Sequence, residues 1–389
     1  MNNTFCIYPF IGTNIRVGSD LAPCCSYKDP TGVPTGVPTG GKSIDQFDEY
    51  KTVDLVKIQS DLLNGIRHPG CSRCWHEEDH NKPSYRQNGF HDFPELANST
   101  EWNIAQTYPV KFLQVDFNNL CNLKCIMCTP HASSSIETEM MQNQKLYKKF
   151  PIGHYHGPSA RSDNTLEFIV NNLLGDLDTL AVTGGEPFMI PQVTRLLEEI
   201  KNHGEMSFRV ATNATNISDR ILELLGKFKR IDITVSLEGV GPHNDYVRSG
   251  SDWATVHQNI QKLATLRNFK HGNINIGHVL QYTSLWALGP VIEYCIKNNH
   301  DLSVRMLESQ SQLDIAQFTP QEVSAFKQKL ESISVDGAIS TVRQQIGFVL
   351  SVLDNLEHQP SLYGAHREYI KMLDGIRKTN FDQVFPPVI

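Results

Sequence analysis

The stretch NNLCNLKCIMCTP, residues 118–130, places Cys121, Cys125 and Cys128 in one short loop at the spacing C-x3-C-x2-C. A structural zinc site takes four ligands in a closed tetrahedron, usually as two C-x2-C pairs. A simple ferredoxin cluster takes four cysteines, one for each iron. Three thiolates on a four-iron cube leave one iron without a protein ligand, and an open iron is a place for a substrate or cofactor to bind. Three thiols at this spacing therefore point to a catalytic [4Fe-4S] cluster.

Six further cysteines need an account: Cys6, Cys24, Cys25, Cys71, Cys74 and Cys295. Eight of the chain's nine cysteines fall in its first third, in tight groups. Short spacers of this kind read as metal ligands. The pair Cys71 and Cys74 is by itself also half of a zinc ribbon, so at this point zinc and an iron–sulfur cluster both stay open. Cys295, in IEYCIKN, reads as a helix-core residue.

Polar and glycine-rich motifs follow the loop. In TGGEP (183–187), Gly184 and Gly185 let a ligand approach the backbone, and Glu186 can accept hydrogen bonds from an ammonium group. Asn213 (TNATN) and Ser236 (SLEG) suit ribose hydroxyls, and Arg248 (HNDYVRSG) suits a carboxylate. Each has a plainer reading. GGEP is also a turn with a helix-starting proline, Asn213 also a cap for the helix starting near SDRIL, and Ser236 also a strand-end hydroxyl. GHYHGP (153–158) reads as a surface loop. In CWHEEDH (74–80), Trp75 is expected to pack beside the N-terminal cysteine site, with Glu77 and Glu78 solvated or paired.

The elements that must position these residues start near residue 111. Strand-like apolar runs occur at VKFLQVDF, LDTLAVTG, MSFRVATN, IDITVSLE, INIGHVLQ and LSVRML. Helical patterns separate them, among them IPQVTRLLEEIKNHG and WATVHQNIQKLATLR. Runs buried on both faces and alternating with helices imply parallel strands with right-handed crossovers. The fold class is α/β, a parallel sheet or partial (β/α)6 TIM-like barrel. Ligands in such folds bind at the C-terminal ends of the strands, and the cysteine loop, TGGEP, TNATN and SLEG all follow strands directly. Residues 1–110 read as a small, irregular, Cys-rich module that includes the repeat PTGVPTGVPTGG, 111–310 as the core, and 311–389 as a helical C-terminal segment.

Bulk properties narrow the class. At 389 residues, 40% hydrophobic and 20% charged, the chain has the composition of a globular protein. A net charge of −7 gives no electrostatic footprint for nucleic acid, which is an unlikely partner. The N-terminus lacks a signal-peptide pattern, and no apolar run is long enough to cross a membrane. A reducing, cytoplasmic setting is the expectation, with the thiols free for metal.

This ordered set of motifs resembles the radical S-adenosylmethionine (SAM) enzymes over roughly residues 111–310. The resemblance implies that Cys121, Cys125 and Cys128 hold a [4Fe-4S] cluster whose open iron binds the amine and carboxylate of SAM. Gly184, Gly185, Glu186 and Pro187 look like the family's SAM-amine motif, Asn213 and Ser236 like its ribose contacts, and Arg248 like its carboxylate contact. Val279, in INIGHVLQ, stands where the family contacts adenine, although the motif there is degenerate. Met127 replaces the aromatic residue common before the last cysteine and is adaptable enough to lie against adenine.

The segments FCIYPF, LAPCC and HPGCSRCWHEE are similar to the cysteine set of the twitch and SPASM modules, here preceding the barrel. That likeness implies an auxiliary [4Fe-4S] cluster on Cys6, Cys24, Cys71 and Cys74, with Cys25 the alternative to Cys24. The implied activity is reductive SAM cleavage to a 5′-deoxyadenosyl radical that abstracts hydrogen from a substrate. The electron donor would be a flavodoxin or ferredoxin, and the substrate a ribosomally made peptide, with a small metabolite, sugar or nucleotide as the alternative. An iron–sulfur electron carrier and a zinc-stabilised scaffold are the non-enzymatic readings.

Overall fold

The computed structural model describes residues 3–18, 20–30, 42–79, 83–99, 101–104, 106–153, 162–269, 273–307, 310–362 and 364–385. Most of the PTGVPTGVPTGG repeat, most of GHYHGP, and His80 lie outside these residues. In chain order the strands are β1 (Gly12–Ile15), β2 (Leu21–Ala22), β3 (Phe112–Asp116), β4 (Lys124–Cys125), β5 (Thr179–Thr183), β6 (Ser207–Thr212), β7 (Arg230–Ser236), β8 (Arg248–Ser249), β9 (Asn275–Leu280) and β10 (Asp301–Met306). The architecture is mixed α/β with mostly parallel strand pairing. Packing divides the chain into two compact units interleaved in sequence, 1–119 with 155–209 and 120–154 with 210–389. β6 carries the chain from the first to the second.

In the first unit β3 pairs in parallel with β5, Phe112 opposite Thr179 through Asp116 opposite Thr183. β1 lies parallel on the other edge of β3, and β2 turns back antiparallel on β1. The side chains of Leu113, Val115, Leu180 and Val182 are buried in this sheet. The helix Pro191–Glu199 opens on a proline, whose missing N–H costs nothing at a helix start, and buries Val193, Leu196 and Leu197. The N-terminal region, expected to be irregular, contains the helices Leu55–Leu63, Ser72–Asp79 and Tyr85–Asp92. The last is closed by a capping box of Ser84 and Gln87.

In the second unit β7, β9 and β10 form a parallel ladder, with Ser236 opposite Gly277 and Val279 opposite Arg305. The helix Asp219–Lys227 starts on Ser218, which accepts from the Ile221 N–H, and buries Ile221, Leu224 and Leu225. Asp252 caps the helix Trp253–Leu263 through the Thr255 N–H at 2.9 Å. Cys295 is fully buried in the helix Leu288–Asn298, as its sequence context implies. The C-terminal segment is helical over Pro320–Glu331, Ser340–Asp354 and Ala365–Arg377.

Candidate metal and cofactor sites

In the second unit the loop carrying Cys121, Cys125 and Cys128 is fixed by three consecutive serines. Ser133 caps the helix Ser134–Gln142 by accepting from the Ile136 N–H at 3.2 Å, and its hydroxyl donates to Leu123 O at 2.7 Å. Ser134 Oγ accepts from the Cys121 N–H at 3.2 Å, and Ser135 Oγ donates to Cys121 O at 2.8 Å. The loop backbone is therefore held by its own downstream helix. A small antiparallel bridge adds to this, with β4 lying on β8 so that Cys125 stands opposite Arg248. Beneath the loop, Ile126 belongs to an apolar cluster with Ile136, Tyr147, Phe150, Tyr246 and Tyr369, and Met127 packs against that cluster. The Met127 carbonyl accepts from Gln310 Nε2 at 2.8 Å.

Charge near the three thiols is arranged in a chain. Arg248 Nη1 donates to Cys125 Sγ at 3.5 Å, and its Nη2 donates to Glu238 Oε1 at 2.9 Å. Glu238 is fully buried, and its second oxygen accepts from the Val279 N–H at 2.9 Å. His278 Nδ1 lies 3.6 Å from the same carboxylate and 2.9 Å from Leu237 O. Burial alone works against a charged Arg248, but the Cys125 and Glu238 charges outweigh it, so its pKa is raised. Burial raises the Cys125 thiol, with Arg248 pulling it back. It also raises Cys128, to which the charges of Cys125 and Cys121 add. Thiols raised together in this way are stabilised as thiolates by a bound cation.

Of the residues singled out from sequence, Asn213 is buried close to this group. Its Nδ2 donates to Asn122 Oδ1 at 3.1 Å and reaches Cys121 Sγ at 3.9 Å, while its Oδ1 accepts from the Thr215 N–H at 2.9 Å. Helix capping falls to Ser218 instead of Asn213. Ser236 ends β7, partly exposed, and Val279 lies partly exposed on β9. Arg248 has a protein carboxylate partner, Glu238, that sequence reasoning did not single out.

Gly184–Pro187 belongs to the first unit, directly after β5. Gly184 has φ +109°, and a Cβ there would stand 2.9 Å from Asn118 O. Only glycine meets both demands without strain. The Gly185 N–H donates to the same carbonyl at 3.1 Å. Glu186 is 1% exposed, and its Oε1 accepts from the Phe188 N–H at 3.4 Å. Pro187 begins the short 3-10 turn that follows. Nearby, Asp116 is pushed above the usual carboxylate range by burial, against a hydrogen bond from Thr183.

Also in the first unit, Cys6, Cys24, Cys71 and Cys74 line one pocket, closed around by Tyr8, Tyr27, Tyr85 and Arg86. Cys25, the alternative to Cys24, is the exposed neighbour and not part of that lining. Cys71 and Cys74 are brought to the pocket by the turn Pro69–Cys71 and the helix after it. Burial pushes the Cys71 thiol up to about 12, and the Cys74 charge adds to it. Burial likewise raises Cys6, Cys24 and Cys74. Trp75 donates from Nε1 to His68 O at 3.0 Å, and its ring lies under the Arg86 guanidinium. Glu78 is paired with Arg86 and Glu77 with Arg73.

Among the described residues no group of three or more His, Cys, Asp or Glu side chains is placed to hold a metal ion. No helix among the described residues is long and apolar enough to cross a membrane.

Residues 115–281 match the family model of the radical SAM superfamily. A comparison with curated proteins finds no match. Among solved structures, Streptococcus suis SuiB bound to S-adenosylmethionine is similar at 16% identity and a TM-score of 0.37, over 64% of this chain and 55% of that one. Native anSMEcpe with bound AdoMet is similar at 19% identity and a TM-score of 0.39, over 57% of this chain and 60% of that one. The cobalamin- and [4Fe-4S]-bound methyltransferase TsrM from Kitasatospora setae is similar at 13% identity and a TM-score of 0.33, over 57% and 37%. The matches span less than two thirds of these structures' own lengths. The segment that matches this family model, residues 115–281, contains Cys121, Cys125 and Cys128.

Proposed function

We propose that the chain is a radical SAM enzyme with an N-terminal auxiliary cluster, acting on a ribosomally made peptide. The observation that carries the reading is a C-x3-C-x2-C loop inside the segment that matches the superfamily. Cys121, Cys125 and Cys128 would hold a [4Fe-4S] cluster with one open iron, and the donor set fits: three thiols, no fourth cysteine in the loop, and a buried guanidinium to balance their charge. Cys6, Cys24, Cys71 and Cys74 would hold the auxiliary cluster, supported by their shared pocket. When bound, the cluster and SAM supply reductive carbon–sulfur cleavage to a 5′-deoxyadenosyl radical that takes hydrogen from the substrate.

The chain's residues supply position and charge. Ser133, Ser134 and Ser135 hold the cysteine loop against relaxation. Arg248, itself held by Glu238, offsets the thiolate charge beside Cys125 and lowers the cost of a buried anionic centre. On the family resemblance, Gly184–Pro187 receives the SAM amine, Asn213 and Ser236 its ribose, Arg248 its carboxylate, and Met127 and Val279 its adenine. Because Glu238 takes Nη2 of Arg248 and Cys125 takes Nη1, Nε is the guanidinium nitrogen left without a partner for a carboxylate. A peptide substrate rests on the likeness of the cysteine set to twitch and SPASM modules, with a flavodoxin or ferredoxin as reductant.

The test is anaerobic purification, reduction with dithionite in the presence of SAM, and detection of 5′-deoxyadenosine. Release of the nucleoside is the expected result. Bound iron without release would replace the enzyme reading with an electron carrier, and bound zinc without iron would remove both.

A further inference from the structure

We propose that Arg86 is a redox-positioning residue for the four-cysteine site: its guanidinium favours the reduced form of the auxiliary cluster, and Glu78 sets how strongly. The proposal rests on the reading of that site as a cluster site. Among the described residues, Arg86 is the one charged residue that lines the pocket of Cys6, Cys24, Cys71 and Cys74. It is 8% exposed, so water screens its charge poorly. Its place is fixed on every side. Nη1 donates to Phe5 O at 2.6 Å, next to Cys6. Nε and Nη2 donate to the two oxygens of Glu78, at 2.9 and 2.5 Å. The guanidinium lies over the Trp75 ring at 5.2 Å and the Phe90 ring at 5.8 Å.

The pair is directional. Arg86 lines the thiol pocket and Glu78 does not, so the positive end of the ion pair faces the sulfurs. A cube bound by four thiolates is anionic, and taking up one electron adds a further negative charge. A fixed cation beside it stabilises the reduced form more than the oxidised one, which raises the reduction potential. The protein levers on such a potential are net charge, hydrogen bonds to sulfur and burial, and Arg86 acts through the first. A scaffold arginine that only braced Phe5 and Glu78 would leave the potential where it was.

The test uses the Cys121→Ala, Cys125→Ala, Cys128→Ala background, so that any remaining cluster is the auxiliary one. Its midpoint potential is titrated by electron paramagnetic resonance in four versions: unaltered, Arg86→Gln, Arg86→Lys and Glu78→Gln. Arg86→Gln is expected to shift the potential negative and Glu78→Gln to shift it positive, while Arg86→Lys stays near the unaltered value. Equal potentials in all four, or shifts of the same sign in Arg86→Gln and Glu78→Gln, would overturn the proposal. Should Arg86→Gln fail to fold, Glu78→Gln decides by its sign. A background protein that binds no iron at all would overturn the cluster reading itself, which is a separate outcome.

Discussion

Glu238 is where the architecture around the three-cysteine loop is most exposed to attack. Its carboxylate is fully buried, and the Arg248 side chain that it pairs with is 10% exposed. Both oxygens are in use, one accepting from Arg248 Nη2 and the other from the Val279 N–H. Glu238→Gln keeps the shape but leaves one acceptor where two are needed, and it strips the buried guanidinium of its counter-charge. Removing one partner of a buried pair costs about 3–5 kcal/mol, because the other charge is left uncompensated. Arg248→Met alone should cost a similar amount, since it leaves the Glu238 carboxylate buried without its cation. Removing both charges lets the site relax, so the double variant should be more stable than the sum of the singles predicts, by about 1–3 kcal/mol. Urea unfolding of the anaerobically purified protein, followed by circular dichroism, measures all four corners of the cycle. A Glu238→Gln variant within about 0.5 kcal/mol of wild type, or strict additivity in the double variant, would refute the reasoning.

Other outcomes follow from the same geometry. Ser133→Ala loses the cap of the helix Ser134–Gln142 and the tie to Leu123 O together, and should cost about 1–3 kcal/mol in urea unfolding while lowering the iron bound by the loop. Gly184→Ala forces a Cβ to 2.9 Å from Asn118 O at φ +109°, so SAM affinity by equilibrium dialysis should fall, with a stability loss of about 1–3 kcal/mol. His366 is buried against Tyr282 with its Nδ1 3.3 Å from Gln312 O, and its pKa is lowered by burial to about 3. The unfolded chain therefore binds this proton first. Stability is full above the ordinary histidine range near 6.5 and falls as pH drops through the window toward 3. Between pH 6.5 and 5 the loss from this residue is about 2 kcal/mol, and His366→Phe should flatten that part of the pH–stability curve.

The alternation of apolar runs and helices was enough to locate the six strands β3, β5, β6, β7, β9 and β10, because each is a buried run bounded by turn residues. β1 was not legible. Its sequence, GTNI, carries two polar residues and gains its strand character only from pairing with β3, a hundred residues away. The helices of residues 1–110 were hidden for a related reason, since they are short and separated by turns that carry Pro and Gly, and their order comes from packing and caps. At the candidate site the cysteines, Gly184 and Arg248 could be named because their chemistry is unusual for their positions. Glu238 and Ser133–Ser135 could not, since a glutamate or serine looks ordinary until the fold shows which donor it meets.

The measurement closest to the central claim compares wild-type protein with the Cys121→Ala, Cys125→Ala, Cys128→Ala variant for iron content and for 5′-deoxyadenosine formed from SAM under dithionite. The account predicts about eight irons and nucleoside release in the wild type, and about four irons with no release in the variant. Nucleoside release that survives loss of all three cysteines would contradict it.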